Sequence, residues 1–237
     1  LGAGAMGVTY RARDTILRSV VALKVIDRQK AESPSVRARF LREARAAAQL
    51  HHPNVARVTY YGEQEGECFY VMEFVEGETL ARIIEKGAPF SDTERLKLLE
   101  QLCSGLHFAH KRGIVHRDIK PVNLMVREDQ DGYEARTLKI LDFGIAKVLN
   151  TGTTATGSFA FTPSYVSPEQ VLGHEVDQRS DMFAVGCVAY ELLTLHKAFP
   201  VSATDPFQVM AEVQRRIVDR PHPPIASWRP DLDQELG

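Results

Sequence analysis

Hydrophobic and polar positions divide the chain into two textures. Val20-Val21-Ala22-Leu23-Lys24-Val25-Ile26 is a β-rich run. Cys68-Phe69-Tyr70-Val71-Met72-Glu73-Phe74 is another, entered through the turn-prone segment Gly62 to Gly66. Between them Phe40, Leu41, Ala44, Ala47 and Ala48 recur at helical spacing, with Arg37, Arg39, Arg42 and Arg45 elsewhere, which predicts a helix over Ser35 to Leu50. His51-His52-Pro53-Asn54 ends it, because proline disfavours helical geometry in the residue before it.

Beyond Gly77 the texture turns helical. Ser91-Asp92-Thr93-Glu94 has the form of a capping box, and Leu96, Leu99, Leu102, Leu106 and His110 then predict one apolar face. Two short strand pairs are expected to flank the acidic hairpin from Arg127 to Glu134. Further helices are expected over Asp181 to Leu195 and Pro206 to Val218, and Pro221 to Pro224 is a surface connection. The shift near Gly77 predicts two lobes, residues 1–76 and 77–237. There is no internal repeat and no low-complexity segment.

Composition narrows the class. Of 237 residues 44% are hydrophobic and 25% charged, as in soluble globular proteins, and the length suits one large domain or two lobes sharing a cleft. With 29 Lys+Arg against 31 Asp+Glu the formal charge is -2, which argues against holding nucleic acid by bulk charge. Cys68, Cys103 and Cys187 are odd in number and lack metal-ligand spacing, so a reducing compartment, the cytoplasm, is expected. The most apolar stretch, Met182 to Leu195, is interrupted by Tyr190 and Glu191 and reads as a buried helix rather than a membrane segment. No signal-peptide pattern opens the chain. Leu1 to Gly7 starts inside a motif and Gly237 closes a helix-like acidic run, so both ends read as truncated.

Gly2-Ala3-Gly4-Ala5-Met6-Gly7 satisfies the dinucleotide-binding fingerprint, and Asp27 stands where a ribose-binding acid would be sought. That reading requires a helix directly after Gly7. Val8-Thr9-Tyr10-Arg11-Ala12-Arg13 instead favours a strand. Glycines between strands also serve as a hairpin lid over a triphosphate, or as a plain turn. From this segment alone the three readings stay open.

Downstream motifs decide. His116-Arg117-Asp118-Ile119-Lys120-Pro121-Val122-Asn123, Asp142-Phe143-Gly144 and Ser167-Pro168-Glu169 occur in that order. With Asp142 to Lys147 and Tyr165 to Gln170, the chain resembles the catalytic domain of bacterial eukaryotic-like Ser/Thr protein kinases, from Gly2 to about Pro230. The resemblance implies an α+β bilobal fold, with a small β-rich N-lobe carrying helix αC and a larger, mainly helical C-lobe whose last helices are missing. It implies transfer of the γ-phosphoryl of ATP to Ser/Thr hydroxyls of proteins, with Mg²⁺ or Mn²⁺.

The same resemblance assigns roles. Gly2, Gly4 and Gly7 cover the phosphates, and Lys24 holds the α- and β-phosphates, paired with Glu43 of helix αC. Asp118 accepts or orients the substrate hydroxyl proton, and Lys120 neutralises the transferring group. Asn123 and Asp142 bind the metal. Met72 is the gatekeeper, Glu73 to Val75 form the adenine-facing hinge, and Ala22 and Met125 cover the adenine faces. Thr9 stands over the adenine where Val is usual, and Glu78 is assigned to the ribose. His116 packs near Phe143 as a structural residue. Asp181 accepts hydrogen bonds from the catalytic-loop backbone, a role compatible with its being a helix N-cap. Lys120 and Thr162, which contacts Asp118 and Lys120, mark the Ser/Thr branch.

Several positions depart from the family pattern. Phe161 replaces a glycine before Thr162, Phe183 replaces a tryptophan, and Leu195 replaces a common glycine. The stretch Val126 to Leu138 is longer than usual, and the arginine that normally pairs with Glu169 is expected beyond Gly237. The competing class is a pseudokinase, a nucleotide-binding or scaffold module without turnover; such proteins usually lose residues of the Lys24, Asp118 or Asp142 type. Arg117 before Asp118 implies a basic pocket for an activation-loop phosphate, with Thr154, Thr156 and Ser158 as candidate sites modified in trans by self-association. A cytosolic domain of a larger membrane-anchored or multidomain protein fits the same reading.

Overall fold

A computed structural model describes residues 2–4, 7–26, 34–128, 136–143, 163–201, 208, 211–213, 215–216 and 222–232. The β-rich runs form a five-stranded antiparallel sheet in the order β1-β2-β3-β5-β4. Its strands are β1 Gly2–Gly4, β2 Gly7–Arg13, β3 Val20–Ile26, β4 Val58–Gln64 and β5 Glu67–Glu73. Gly7 thus opens a strand and not a helix, which removes the dinucleotide reading. Gly7 has φ 138, and a Cβ there would stand 1.9 Å from the Val25 carbonyl oxygen. Only glycine lets β2 turn this tightly against β3.

The predicted helix after β3 forms as α1, Pro34–Ala47. It sets Phe40, Ala44 and Ala47 into the core, where Phe40 packs on Tyr61 and Tyr70. Residues 54–56 then run beside β8 (Thr137–Ile140) of the second lobe. The Ala56 amide donates to the Ile140 carbonyl and the Ile140 amide to the Asn54 carbonyl, each at 2.9 Å. The two lobes are therefore tied by main chain as well as by the segment after β5.

In the second lobe β6 (Glu78–Thr79), β7 (Leu124–Arg127) and β8 make a small antiparallel sheet. Among the described residues this is one hairpin with an added strand, not the two strand pairs expected around residues 127–134. Helix α2, Leu80–Glu85, is short. Helix α3, Asp92–His110, starts at the predicted box: the Ser91 hydroxyl accepts from the Glu94 amide and the Glu94 carboxylate accepts from the Ser91 amide. Its buried stripe is Leu98, Leu102, Leu106 and Ala109, and Leu96 is 48% exposed. This corrects the predicted face at Leu96, while Leu99, Leu102 and Leu106 pack inward as expected. The two stripes share Leu102 and Leu106, and packing against β8 and the central helix selects the second. Gly105 permits that approach, because a Cβ would come within 2.8 Å of Ile140 Cδ1.

After a short helix α4, Pro168–Leu172, the central helix α5 spans Gln178–Thr194. It is buried on nearly every side, as expected of a helix apolar all round. Its N-cap is Asp177, whose carboxylate accepts from the Arg179 amide at 2.7 Å. Asp181 lies one turn inside, so it is not the cap. The expected helix over Pro206 to Val218 is helical at residues 208, 211–213 and 215–216. One continuous apolar cluster runs through both lobes, from Phe40 and Leu50 to Leu98, Ile119, Leu138 and Leu192.

Candidate active site

The cleft between the sheets collects the polar groups that the motifs single out. β7 and β8 form a hairpin, so the loop before β7 and the segment after β8 arrive side by side. The Leu141 amide donates to the Asn123 carbonyl at 2.9 Å, which fixes that juxtaposition. Within the loop, Lys120 Nζ lies 2.9 Å from Asp118 Oδ2. Asn123 Nδ2 donates to Asp118 Oδ2 at 3.0 Å and to the Asp118 carbonyl at 2.8 Å. With its nitrogen committed to Asp118, the Asn123 amide keeps its oxygen as an acceptor.

Lys24 reaches this group from the other lobe. Its Nζ donates to Asp142 Oδ2 at 2.6 Å, and the Tyr70 hydroxyl donates to Asp142 Oδ1 at 2.5 Å. Burial pushes the Asp142 carboxyl up, but the Lys24 charge and the hydrogen bonds from Lys24 and Tyr70 outweigh it and hold the carboxyl below its usual range. Burial, with the Asp142 charge beside it, pushes the Tyr70 phenol well up, so the phenol is the donor. Glu43 lies on α1, and its side chain is outside the described residues.

A second tier holds the loop. Asp181, buried in α5, accepts from the His116 amide at 2.8 Å and the Arg117 amide at 2.7 Å, and His110 Nε2 lies 2.7 Å away. Arg117 has φ 67, a left-handed conformation costly for a residue with a Cβ, so the loop depends on these bonds. His116 is fully buried, its ring meets Phe143 edge-on at 4.7 Å, and its Nε2 donates to the Leu141 carbonyl at 2.8 Å. Gln170 Nε2 donates to the Arg117 carbonyl at 3.0 Å, which links α4 to the loop. The Arg117 Nε is buried and finds no partner among the described residues. The Ser180 hydroxyl donates to Glu169, and the Tyr165 hydroxyl to the buried Glu191.

On the roof of the cleft, Gly2 pairs with Thr9 and Gly4 with Gly7 across β1 and β2, and Thr9 stands opposite Lys24. Ala22 stands opposite Met72, and Ala22, Met72 and Val75 are buried. The Glu73 carboxylate is tied to Lys139 Nζ at 2.7 Å, so the end of β5 is braced from β8. Met125 lies in β7 opposite Thr79. The Glu78 side chain pairs with Lys86 at 2.6 Å. Thr154, Thr156, Ser158, Phe161 and Thr162 lie outside the described residues.

Residues the motif reading passed over also build the site. Tyr70, His110, Lys139, Asn54 and Gln101 each hold a named group. Asn54 Nδ2 donates to Gln101 Oε1 and to the Leu138 carbonyl, both at 2.9 Å, and Gln101 accepts from the Leu138 amide at 2.7 Å. The one advance signal was alternation: in β5, Cys68, Tyr70 and Met72 share a face. A tyrosine on an inward face needs a partner for its hydroxyl.

With this geometry in place, the family match is decisive: the Protein kinase domain family matches residues 1–233. The chain belongs to the protein kinase family. It is 37% identical over 237 residues to the serine/threonine-protein kinase pkn3 of Myxococcus xanthus, covering 98% of this chain and 42% of that protein. It is 40% identical over 200 residues to the serine/threonine-protein kinase PknB of Mycobacterium leprae, covering 82% of this chain and 31% of that one. The PknI kinase domain of Mycobacterium tuberculosis superposes with a TM-score of 0.72 at 28% identity, over 98% of this chain and 80% of that structure. The chain spans less than half the length of these two curated relatives. It is a kinase domain of the bacterial Ser/Thr type with the bilobal fold.

Proposed function

We propose that this kinase domain transfers the γ-phosphoryl of ATP to Ser/Thr hydroxyls of proteins, with Asp118, Lys120, Asn123, Asp142 and Lys24 as the working residues. The observation that carries the reading is the convergence of all five. Asp118, Lys120 and Asn123 gather in the loop before β7, and Lys24 crosses from the other lobe to Asp142 on the neighbouring segment after β8. Phosphoryl transfer asks a protein for positioning and charge neutralisation, and this set supplies both.

Asp118 orients the acceptor hydroxyl and takes its proton, while Lys120, now on Asp118, balances charge at the transferring group. Lys24 exchanges Asp142 for the α- and β-phosphates. Carboxylate and amide oxygens are the donors a hard divalent cation takes, and Asp142 is held ionised, so Asp142 and Asn123 fit Mg²⁺ or Mn²⁺. When bound, that cation neutralises the phosphates. The Glu73 to Val75 backbone faces the adenine, between Ala22 and Met125, with Met72 behind it and Gly2, Gly4, Gly7 and Thr9 above. Glu78 reaches the ribose once its pair with Lys86 opens. The lobes divide at residues 76 and 77.

Regulation by the activation loop belongs to the same proposal. The buried Arg117 Nε, without a partner among the described residues, supports its donating to a phosphate carried by Thr154, Thr156 or Ser158, which are phosphorylated in trans between copies. Glu43 and Thr162 complete the active arrangement as partners of Lys24 and of Asp118 and Lys120. The cytoplasm is the proposed location, with proteins as substrates.

The test is transfer from γ-labelled ATP with Mg²⁺ to a protein acceptor. Asp118→Asn should lower kcat by about 10²–10⁴ with nucleotide binding kept. Lys24→Met should lose transfer while staying folded. Full-rate transfer by Asp118→Asn would refute the assignment, and Mg-ATP binding without any turnover would place the chain among non-transferring kinases.

A further inference from the structure

Asp142 is gripped on both oxygens, and the two grips differ in kind. Lys24 holds Oδ2 from the cleft at 2.6 Å, with side chains 13% and 20% exposed. Tyr70 holds Oδ1 from a fully buried position. The Tyr70 ring cannot easily move. It packs on Phe40 of α1 with centroids 6.0 Å apart, and Lys24 Nζ lies 6.0 Å from its centroid. A phenol buried this way must find an acceptor or lose the free energy of an unmade hydrogen bond.

The Lys24 grip is temporary under the proposed function, since that ammonium serves the nucleotide phosphates. Once it leaves, the terminal carboxylate torsion of Asp142, which is intrinsically broad, has one remaining partner in this set. We infer that Tyr70 is a positioning residue for the metal-binding carboxylate: its hydroxyl fixes Asp142 from the buried side and keeps its orientation when Lys24 departs. The inference rests on the kinase reading of Asp142 and adds to it a residue outside the motifs. Partners behind a metal ligand typically matter by about 10–100-fold in metal affinity.

Tyr70→Phe in the full chain tests this, since it keeps the ring and its contacts and removes only the donor. The measurement is calorimetric titration with a non-hydrolysable ATP analogue, with and without Mg²⁺. Metal-free affinity should match the parent protein, and the gain in affinity on adding Mg²⁺ should shrink by about 10–100-fold. Excess Mg²⁺ should recover the lost binding. An unchanged or larger Mg²⁺ gain in Tyr70→Phe would overturn the positioning role while leaving the kinase reading intact. Absence of any Mg²⁺ gain in the parent protein would instead sink the reading of Asp142, and the inference with it. Metal-free binding also reports folding; were it lost, Tyr70→Met, equally without a donor, repeats the comparison.

Discussion

Removing the Asp181 carboxylate should unhinge the loop that carries Asp118 from the central helix. Asp181→Ala deletes the acceptor for the His116 and Arg117 amides and for His110 Nε2, all within 2.8 Å of its oxygens. The site is 1% exposed, so bulk water does not reach these donors. Each buried donor left unmade costs about 1–3 kcal/mol. The three share one carboxylate and do not add fully, so roughly 3–5 kcal/mol is expected, the range for breaking a buried charged contact. For a chain of this size that lowers Tm by roughly 6–20 °C. Asp181→Asn should lose about half as much, because its oxygen still accepts one amide while its NH₂ faces another donor. The loss should also reach chemistry. Arg117 sits at φ 67, and without the two amide bonds its strain is released by moving Asp118. Phosphoryl transfer should therefore fall further than nucleotide binding. Denaturant titration and thermal melting of parent, Asn and Ala forms give the stabilities. A loss below about 1 kcal/mol in Asp181→Ala would refute the anchoring role, since even one lost hydrogen bond to a charged group exceeds that.

Ser91→Ala should cost about 1 kcal/mol by opening the capping box at α3, a Tm drop of about 2–4 °C measurable by melting. Leu195→Gly should raise stability by roughly 1 kcal/mol, because Leu195 closes α5 in a left-handed conformation at φ 63; no gain in Tm would mean that its side chain packs well enough to offset the strain. Burial pushes the Glu191 carboxyl up, so the folded state binds the proton more tightly than the unfolded chain. Stability from this group is then full below the unfolded carboxyl range and lost as pH rises through the folded value. Glu191→Gln, which still accepts from the Tyr165 hydroxyl, should melt higher than the parent near neutral pH, with the advantage shrinking on acidification. An equal advantage at both pH values would dismiss that reading.

The fold was legible wherever the signal is local. The runs at Val20 to Ile26 and Cys68 to Phe74 are strands because their β-branched and aromatic residues suit a pleated surface. The box at Ser91 starts α3 because two side chains close two orphan amides. The face of α3 was legible only in part, since Leu99, Leu102 and Leu106 turn to the core but Leu96 does not. Leu96, Leu98, Leu99, Leu102 and Leu106 fit two stripes of the same period, and only the approach of β8 and α5, made possible by Gly105, chooses between them. The start of α5 was misplaced for a related reason: Asp177 and Asp181 are both helix-starting residues, and the cap is the one that meets the Arg179 amide.

The candidate site divides along the same line. Asp118, Lys120 and Asn123 carry their geometry in their spacing, because a short loop leading into β7 puts offsets of two and five within reach of one carboxylate. Their supports come from afar. Lys24 and Asp142 are 118 residues apart, Tyr70 and Asp142 72, and Arg117 and Asp181 64. No local pattern can specify such pairs; they arise from where the sheets and α5 place each backbone. Sequence marks only the need, as when a tyrosine shares the inward face of β5 with Cys68 and Met72. The fold then decides which acceptor meets that need. Here it is Asp142, the carboxylate that also pairs with a lysine from the other lobe.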